Sequence, residues 1–118
     1  MKQNLILDKS FAFTVIAVNL YKHLSTKKKE YVLSKQLLRS GTSIGANVKE
    51  AVVAQSKRKF IAKLNISLKE ANESEYWLEL LHHTGYLDAN SNILSECRSI
   101  IRILTSIIKS TNNNMPAK

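Results

Sequence analysis

The chain has 118 residues, with 18 Lys and Arg against 9 Asp and Glu, so its formal net charge is +9. Hydrophobic residues make up 44% of it, which is enough for the core of one domain and excludes a disordered or collagen-like chain. Three Gly and one Pro are too few for the turns of a β-sandwich or barrel, and one Cys excludes an intramolecular disulfide. This composition indicates a helical protein in a reducing compartment.

The N-terminal sequence does not predict export or membrane insertion. Its apolar run is short, because Asp8 and Lys9 interrupt it. The longest uncharged stretch, residues 10–21, is shorter than the ~20 residues of a membrane-spanning helix. We therefore expect a cytoplasmic protein with no membrane contact.

Apolar residues recur with helical spacing in four segments, the first two at residues 10–24 and 31–55. The second contains Gly41 and Gly45, each of which costs ~1 kcal/mol relative to Ala in a helix. Residues 40–47 therefore form either a loop between two short helices or a continuous helix that another helix approaches closely. In the second case, Trp77 is the residue expected to fill the hollow.

The third predicted helix begins after an N-cap at Ser56, continues to residue 83 and stops at Gly85. Its core stripe alternates steps of four and three, as in a bundle seam: Phe60, Leu64, Ser67, Ala71, Ser74, Leu78 and Leu81. The fourth predicted helix covers residues 92–110, and Cys97 lies in its apolar stripe as a small core residue.

Short polar connections between these segments favour antiparallel neighbours. We therefore predict an all-α fold, an antiparallel up-down-up-down four-helix bundle. Residues 1–110 are expected to form a single domain, and residues 111–118 a disordered C-terminal tail.

Two carboxylates on the third predicted helix, Glu70 and Glu73, share a face with apolar residues and need partners if they are partly buried. Donors are available on the second helix, so we expect a structural polar network rather than an acid-base pair. The predicted members are Arg39, Ser43, Asn47, Glu70, Glu73 and Trp77.

No motif indicates catalysis. Glu79 and His82 have the Glu-x-x-His spacing of di-iron bundles, but the second such pair that these sites need is missing, because Leu20 stands three residues before His23. We therefore predict no enzyme activity, no metal and no cofactor.

The excess positive charge lies entirely in residues 1–59, which include two basic runs. The second run follows Ser56, where cations oppose the dipole of a helix. Bundle topology places this run at the same end as Lys2, Lys9, Lys63 and Lys109, and ~36 Å from the first run. Neither run contains an aromatic residue, so phosphate contact is indicated rather than base stacking. The predicted nucleic-acid-binding residues are Lys27, Lys28, Lys29, Lys57, Arg58, Lys59 and Lys63.

Residues 39–47, Arg-Ser-Gly-Thr-Ser-Ile-Gly-Ala-Asn, with Glu50-Ala51 and Tyr76-Trp77-Leu78, give the chain a family resemblance. It resembles the bacterial four-helix-bundle family of 23S rRNA intervening-sequence proteins over residues 10–110, and the accessory proteins of diversity-generating retroelements. The resemblance implies a continuous second helix and a ring-shaped homopentamer. It also implies that the retroelement relatives bind a reverse transcriptase and nucleic acid. Lys59 departs from the pattern, because many relatives carry an acidic residue there.

The sequence thus predicts a non-enzymatic, self-associating helical scaffold that presents basic surfaces to RNA, DNA or a nucleoprotein partner. Self-association is also expected because the first and fourth helices are apolar over more of their circumference than one core requires. The alternative is a protein-protein adaptor ring without nucleic-acid binding.

Overall fold

The computed structural model describes residues 2–114, with side chains from residue 5 onward. Within this part the chain forms four α-helices and no strand. The helices are α1 (Lys2–Thr26), α2 (Leu33–Val52), α3 (Lys57–His83) and α4 (Ile93–Asn113). Each packs against two others, in the cyclic order α1, α2, α3, α4, and the rod measures 52 × 23 × 21 Å. The predicted four-helix bundle is confirmed.

Contacts between α2 and α3 show the antiparallel order directly. Late in α2, Glu50 pairs with Lys63, which lies early in α3. Early in α2, the Ser40 hydroxyl meets that of Ser74, which lies late in α3. These two helices therefore run antiparallel, and so do α3 and α4, since Arg98 early in α4 pairs with Glu79 late in α3.

Three helix boundaries differ from the sequence prediction by three residues or more, and one of them is the end of α2, which lies at Val52 rather than at residue 55. Helix α1 begins eight residues before residue 10, because Ile6 is buried in the core while the charged Asp8 faces solvent. Helix α4 continues through Asn113, so residues 111–113 are helical rather than part of a disordered tail. Residues 115–118 of that predicted tail lie outside the described residues.

Helix α2 runs through both glycines without a break, which decides between the two alternatives for residues 40–47. A Cβ atom on Gly41 would lie 3.1 Å from Cβ of Ala17, and one on Gly45 would lie 3.1 Å from Oγ1 of Thr14. Because residues 41 and 45 have no side chain, α1 can pack closely against α2 at these positions. The prediction that Trp77 of α3 fills this hollow is wrong.

The core stripes predicted for α3 and α4 are confirmed. On α3, six of the seven predicted positions are buried and Phe60 is half-buried. The buried positions of the α4 stripe are Ile93, Cys97, Ile100, Leu104 and Ile107. On α1 only one stripe is covered, through Phe13 and Ala17, whereas Phe11 and Val15 face solvent.

Helix α3 begins and ends where the sequence predicts. The Ser56 side chain accepts a hydrogen bond from the backbone N–H of Lys59 at 3.2 Å. At the other end Gly85 has φ of +85°, and the N–H of Tyr86 donates to the carbonyl of Leu81 at 2.9 Å. This Schellman-type end satisfies the last carbonyl groups of the helix.

Candidate nucleic-acid interface

Three consecutive cations, Lys57, Arg58 and Lys59, form the first turn of α3. All three are exposed, and none forms an ion pair with another described residue. Positive charge at a helix N-terminus opposes the helix dipole by ~0.3 to 1 kcal/mol per charge. Stability therefore does not account for this run.

The cations expected beside this run contribute less charge than the sequence predicts. Nζ of Lys63 lies 2.8 Å from Oε1 of Glu50, and Nζ of Lys9 lies 3.6 Å from Oε1 of Glu96. Both lysines are therefore partly neutralised, whereas Lys109 is exposed. The side chain of Lys2 lies outside the described residues. The basic character of this end depends chiefly on residues 57–59.

The other run, Lys27 to Lys29, lies in the connection between α1 and α2, at the opposite end of the bundle. Its three side chains are exposed. The 20 residues of α2 span ~30 Å, so the two runs form separate surfaces in one protomer.

Glu30 fixes the start of α2, a role that is not among the predicted ones. Its carboxylate accepts hydrogen bonds from the backbone N–H groups of Val32 at 3.2 Å, Leu33 at 3.0 Å and Ser34 at 2.7 Å. Burial disfavours the charged carboxylate, but these hydrogen bonds outweigh it and hold the pKa of Glu30 below its ordinary value. A Glu just before an apolar helical run is a sequence signal that could have predicted it.

The predicted polar network forms only in part. The guanidinium of Arg39 pairs with Glu70, at 3.4 Å, and with Glu73. Glu73 also accepts a hydrogen bond from the indole N–H of Trp77 at 3.3 Å. Because Arg39 holds both carboxylates, this cluster links α2 to α3 on a half-exposed surface rather than lining a cleft.

Two predicted members stay outside the network. The Ser43 hydroxyl donates to the carbonyl of Arg39 at 2.7 Å, and the Asn47 amide donates to the carbonyl of Ser43 at 2.8 Å. Each side chain thus donates to the backbone carbonyl four residues earlier in its own helix, as polar side chains within helices often do.

A second charged cluster joins α3 to α4. Arg98 donates to Glu75 and to Glu79, each at 2.9 Å, and these hydrogen bonds raise the pKa of the guanidinium. Glu79 thus neutralises Arg98. Among the described residues no group of three His, Cys, Asp or Glu side chains is arranged to hold a metal ion.

Comparisons with known proteins agree with this architecture. The family model described as "23S rRNA-intervening sequence protein" matches residues 2–106. The chain belongs to this family. No curated protein matches it.

A solved structure of a family relative has the same fold. It is a protein of unknown function from the S23 ribosomal protein family of Bacteroides thetaiotaomicron VPI-5482. The two chains share 57% identity, with 92% of this chain and 99% of that chain covered, and the TM-score is 0.89. The likeness to retroelement accessory proteins stays a prediction.

In this 23S rRNA-intervening sequence family member, Cys97 is a core residue, as predicted. It is fully buried, and its thiol donates to the carbonyl of Ala71 at 3.4 Å. Burial, with a smaller contribution from Glu75, raises the pKa of Cys97 to about 12. Such a thiol is not a nucleophile near neutral pH.

Helix α1 of this family member presents an apolar surface to solvent. Phe11 is 70% exposed, and Leu5 and Val15 are about half exposed. An open groove of ≈ 380 Å³ runs between α1 and α2, and Phe11, Gly45 and Ala46 are among its lining residues.

In the part of the chain that the structure describes, no helix is both long and apolar enough to cross a bilayer.

Proposed function

We propose that this chain is a non-enzymatic helical scaffold that associates with copies of itself and presents basic surfaces to nucleic acid or to a nucleoprotein partner. The observation that carries the proposal is the exposed run Lys57, Arg58 and Lys59. It has no carboxylate partner among the described residues, and its placement against the helix dipole is unfavourable. A phosphate backbone is the partner that would make this placement favourable.

The distribution of acidic residues supports nucleic acid as the partner. All four carboxylates of α3 are already engaged: Glu70 and Glu73 with Arg39, and Glu75 and Glu79 with Arg98. They therefore do not offset the two basic runs, which remain free to attract a polyanion.

Self-association is supported by the uncovered face of α1. Phe11 and Val15 are exposed on α1, and the groove beside Phe11 is lined partly by the small residues Gly45 and Ala46 of α2; Leu5 is exposed on the side of α1 that faces α4. Exposed apolar surface of this kind is typical of protein interfaces. The family resemblance suggests five copies, and a ring would repeat each basic run around a rim.

Nucleic-acid titration at about 50 and 200 mM salt tests the binding surface. The triple variant Lys57→Ala/Arg58→Ala/Lys59→Ala should weaken binding to all sequences and reduce the log-log salt slope by about 0.9 per lost contact with duplex DNA. The matched control is Lys35→Ala/Lys69→Ala/Arg102→Ala, which removes the same charge from exposed positions outside both basic runs and should weaken binding less. If the protein does not bind nucleic acid at low salt, or if its affinity does not depend on the salt concentration, the nucleic-acid proposal is wrong.

The mass of the protein in solution tests the scaffold. A pentamer should have about five times the 13.3 kDa of one chain. Phe11→Asp places a charge on the exposed α1 face without touching the core and should dissociate the assembly. A wild-type monomer would contradict self-association.

The alternative, a protein adaptor ring, is favoured by one further surface. Val53 is 71% exposed beside Lys59, in an open groove that also contains Ala62. A stable oligomer that binds no nucleic acid at low salt would support the adaptor over the nucleic-acid scaffold.

A further inference from the structure

The connection between α1 and α2 has a fixed backbone. Lys29 adopts φ of 56°, in the left-handed region, and the N–H of Glu30 donates to the carbonyl of Leu24 at 2.9 Å. The Glu30 carboxylate binds three N–H groups of α2, and the Glu30 carbonyl accepts from the Ser34 hydroxyl at 2.8 Å. These bonds attach both sides of the turn to the bundle.

The turn presents an aromatic ring next to the first basic run. Tyr31 is 53% exposed and Val32 is 70% exposed. Both directly follow the hydrogen-bonded backbone of Lys29 and Glu30. Lys27, Lys28 and Lys29 are exposed immediately before them. The lysine run alone predicts no aromatic contribution, because Tyr31 lies outside it in the sequence.

The one carboxylate of the connection, that of Glu30, forms no ion pair with the three lysines. Glu30 points its oxygens at the backbone of residues 32–34 and stabilises the start of α2. The surface that remains therefore carries three cations and one phenol ring. Cations with an aromatic ring are the groups that bind single-stranded nucleic acid, through phosphates and through base stacking.

We propose that Tyr31 is a base-stacking residue and that Lys27, Lys28 and Lys29 contact the phosphates of a single-stranded nucleic acid bound at this turn. The inference rests on the proposed function, since it needs the chain to bind nucleic acid. It assigns the strand type and a stacking residue to the end of the bundle opposite residues 57–59. Bases inside a duplex are already stacked, so Tyr31 distinguishes single strands from duplexes.

Fluorescence anisotropy with labelled single-stranded DNA and RNA, and with the duplex of the same sequence, tests this role. Tyr31→Ala should weaken single-strand binding about five- to 150-fold, the effect of losing one stacked base. It should leave the duplex affinity and the salt slope unchanged, because no charge is removed. Tyr31→Phe keeps the ring and should retain wild-type affinity. Tyr76→Ala removes another exposed tyrosine, on α3, and is the matched control.

The remaining outcomes separate this inference from the proposed function. If the wild type binds but Tyr31→Ala binds single strands equally well, or loses duplex affinity to the same degree, stacking at Tyr31 is wrong and the basic scaffold stands. If polyglutamate displaces the single strand as effectively as unlabelled oligonucleotide, the turn recognises charge alone, as an acidic protein partner would require, and the inference is again wrong. If the wild type binds no nucleic acid at low salt, both proposals fail.

Discussion

The hydroxyl oxygens of Ser40 and Ser74 lie 2.7 Å apart and are fully buried between α2 and α3. A third buried hydroxyl, that of Ser67, donates to the carbonyl of Ile44 at 2.9 Å across the same pair of helices. Small polar side chains thus form part of this interface. Each hydroxyl depends on its partner, because water does not reach it.

Ser74→Ala should lower the free energy of unfolding by ~1 to 3 kcal/mol, because it leaves the buried hydroxyl of Ser40 without its short hydrogen bond. Replacing both serines by Ala should cost less than the sum of the single changes, since neither hydroxyl is then orphaned. Urea denaturation of the two single variants and the double variant measures this coupling. Additive losses would show that the hydrogen bond contributes little.

Gly41→Ala should destabilise the protein although Ala is the better helix former. The new methyl would lie 3.1 Å from Cβ of Ala17, which α1 holds in place. Overpacking of this kind costs ~1 to 3 kcal/mol, against ~1 kcal/mol of improved helix propensity. The control is the size exchange Gly41→Ala/Ala17→Gly, which should recover part of the loss in urea denaturation. A more stable Gly41→Ala variant would show that α1 moves away at little cost.

The glycines mark the limit of what the sequence predicts. Helical periodicity identifies the core stripe of α3, because burial of one face follows from the spacing alone. The continuity of α2 at Gly41 and Gly45 does not follow from spacing. It depends on Ser10, Thr14 and Ala17 of α1, which local propensity does not take into account.

The candidate site shows the same limit. The basic runs are evident in the sequence because charge is a local property. The exposure of Tyr31 and the inward orientation of Glu30 depend on how the turn is bonded to α1 and α2, so periodicity and composition did not predict them. The pairing of Lys63 with Glu50 likewise needed the antiparallel register of α2 and α3.

Lys29→Gly should preserve or raise stability, by up to ~1 kcal/mol. The left-handed backbone costs a residue with a side chain ~1 to 2 kcal/mol, and glycine avoids that cost while losing more entropy on folding. Lys28→Gly is the matched control: it removes the same charge but loses only entropy, so its stability should fall. Thermal denaturation of both variants compares them, and equal losses would contradict left-handed strain at Lys29.

Cys97 should resist thiol reagents in the folded protein. Its side chain is fully buried and its pKa is raised to about 12, so the reactive thiolate is scarce near neutral pH. A colorimetric disulfide reagent should therefore modify it only as fast as the protein unfolds, and completely in concentrated urea. The unfolded chain is the control, since it contains the same single thiol. Equally fast reaction of the folded protein would place Cys97 at the surface.

Glu30 should make the stability of the protein dependent on acidic pH. Its pKa is lowered in the folded state, so the folded protein releases this proton more readily than the unfolded chain does. The stabilisation is therefore complete above the ordinary carboxyl pKa of about 4.3 and is lost as the pH falls through the lower, folded-state pKa.

Glu30→Gln should cost ~1 kcal/mol near pH 7, as loss of a helix cap does, and the difference from wild type should shrink in acid. Urea denaturation at several pH values measures this difference, with Asp8→Asn as the control for an exposed carboxylate that caps no helix. A difference that stays constant with pH would show that the charge of Glu30 does not stabilise the start of α2.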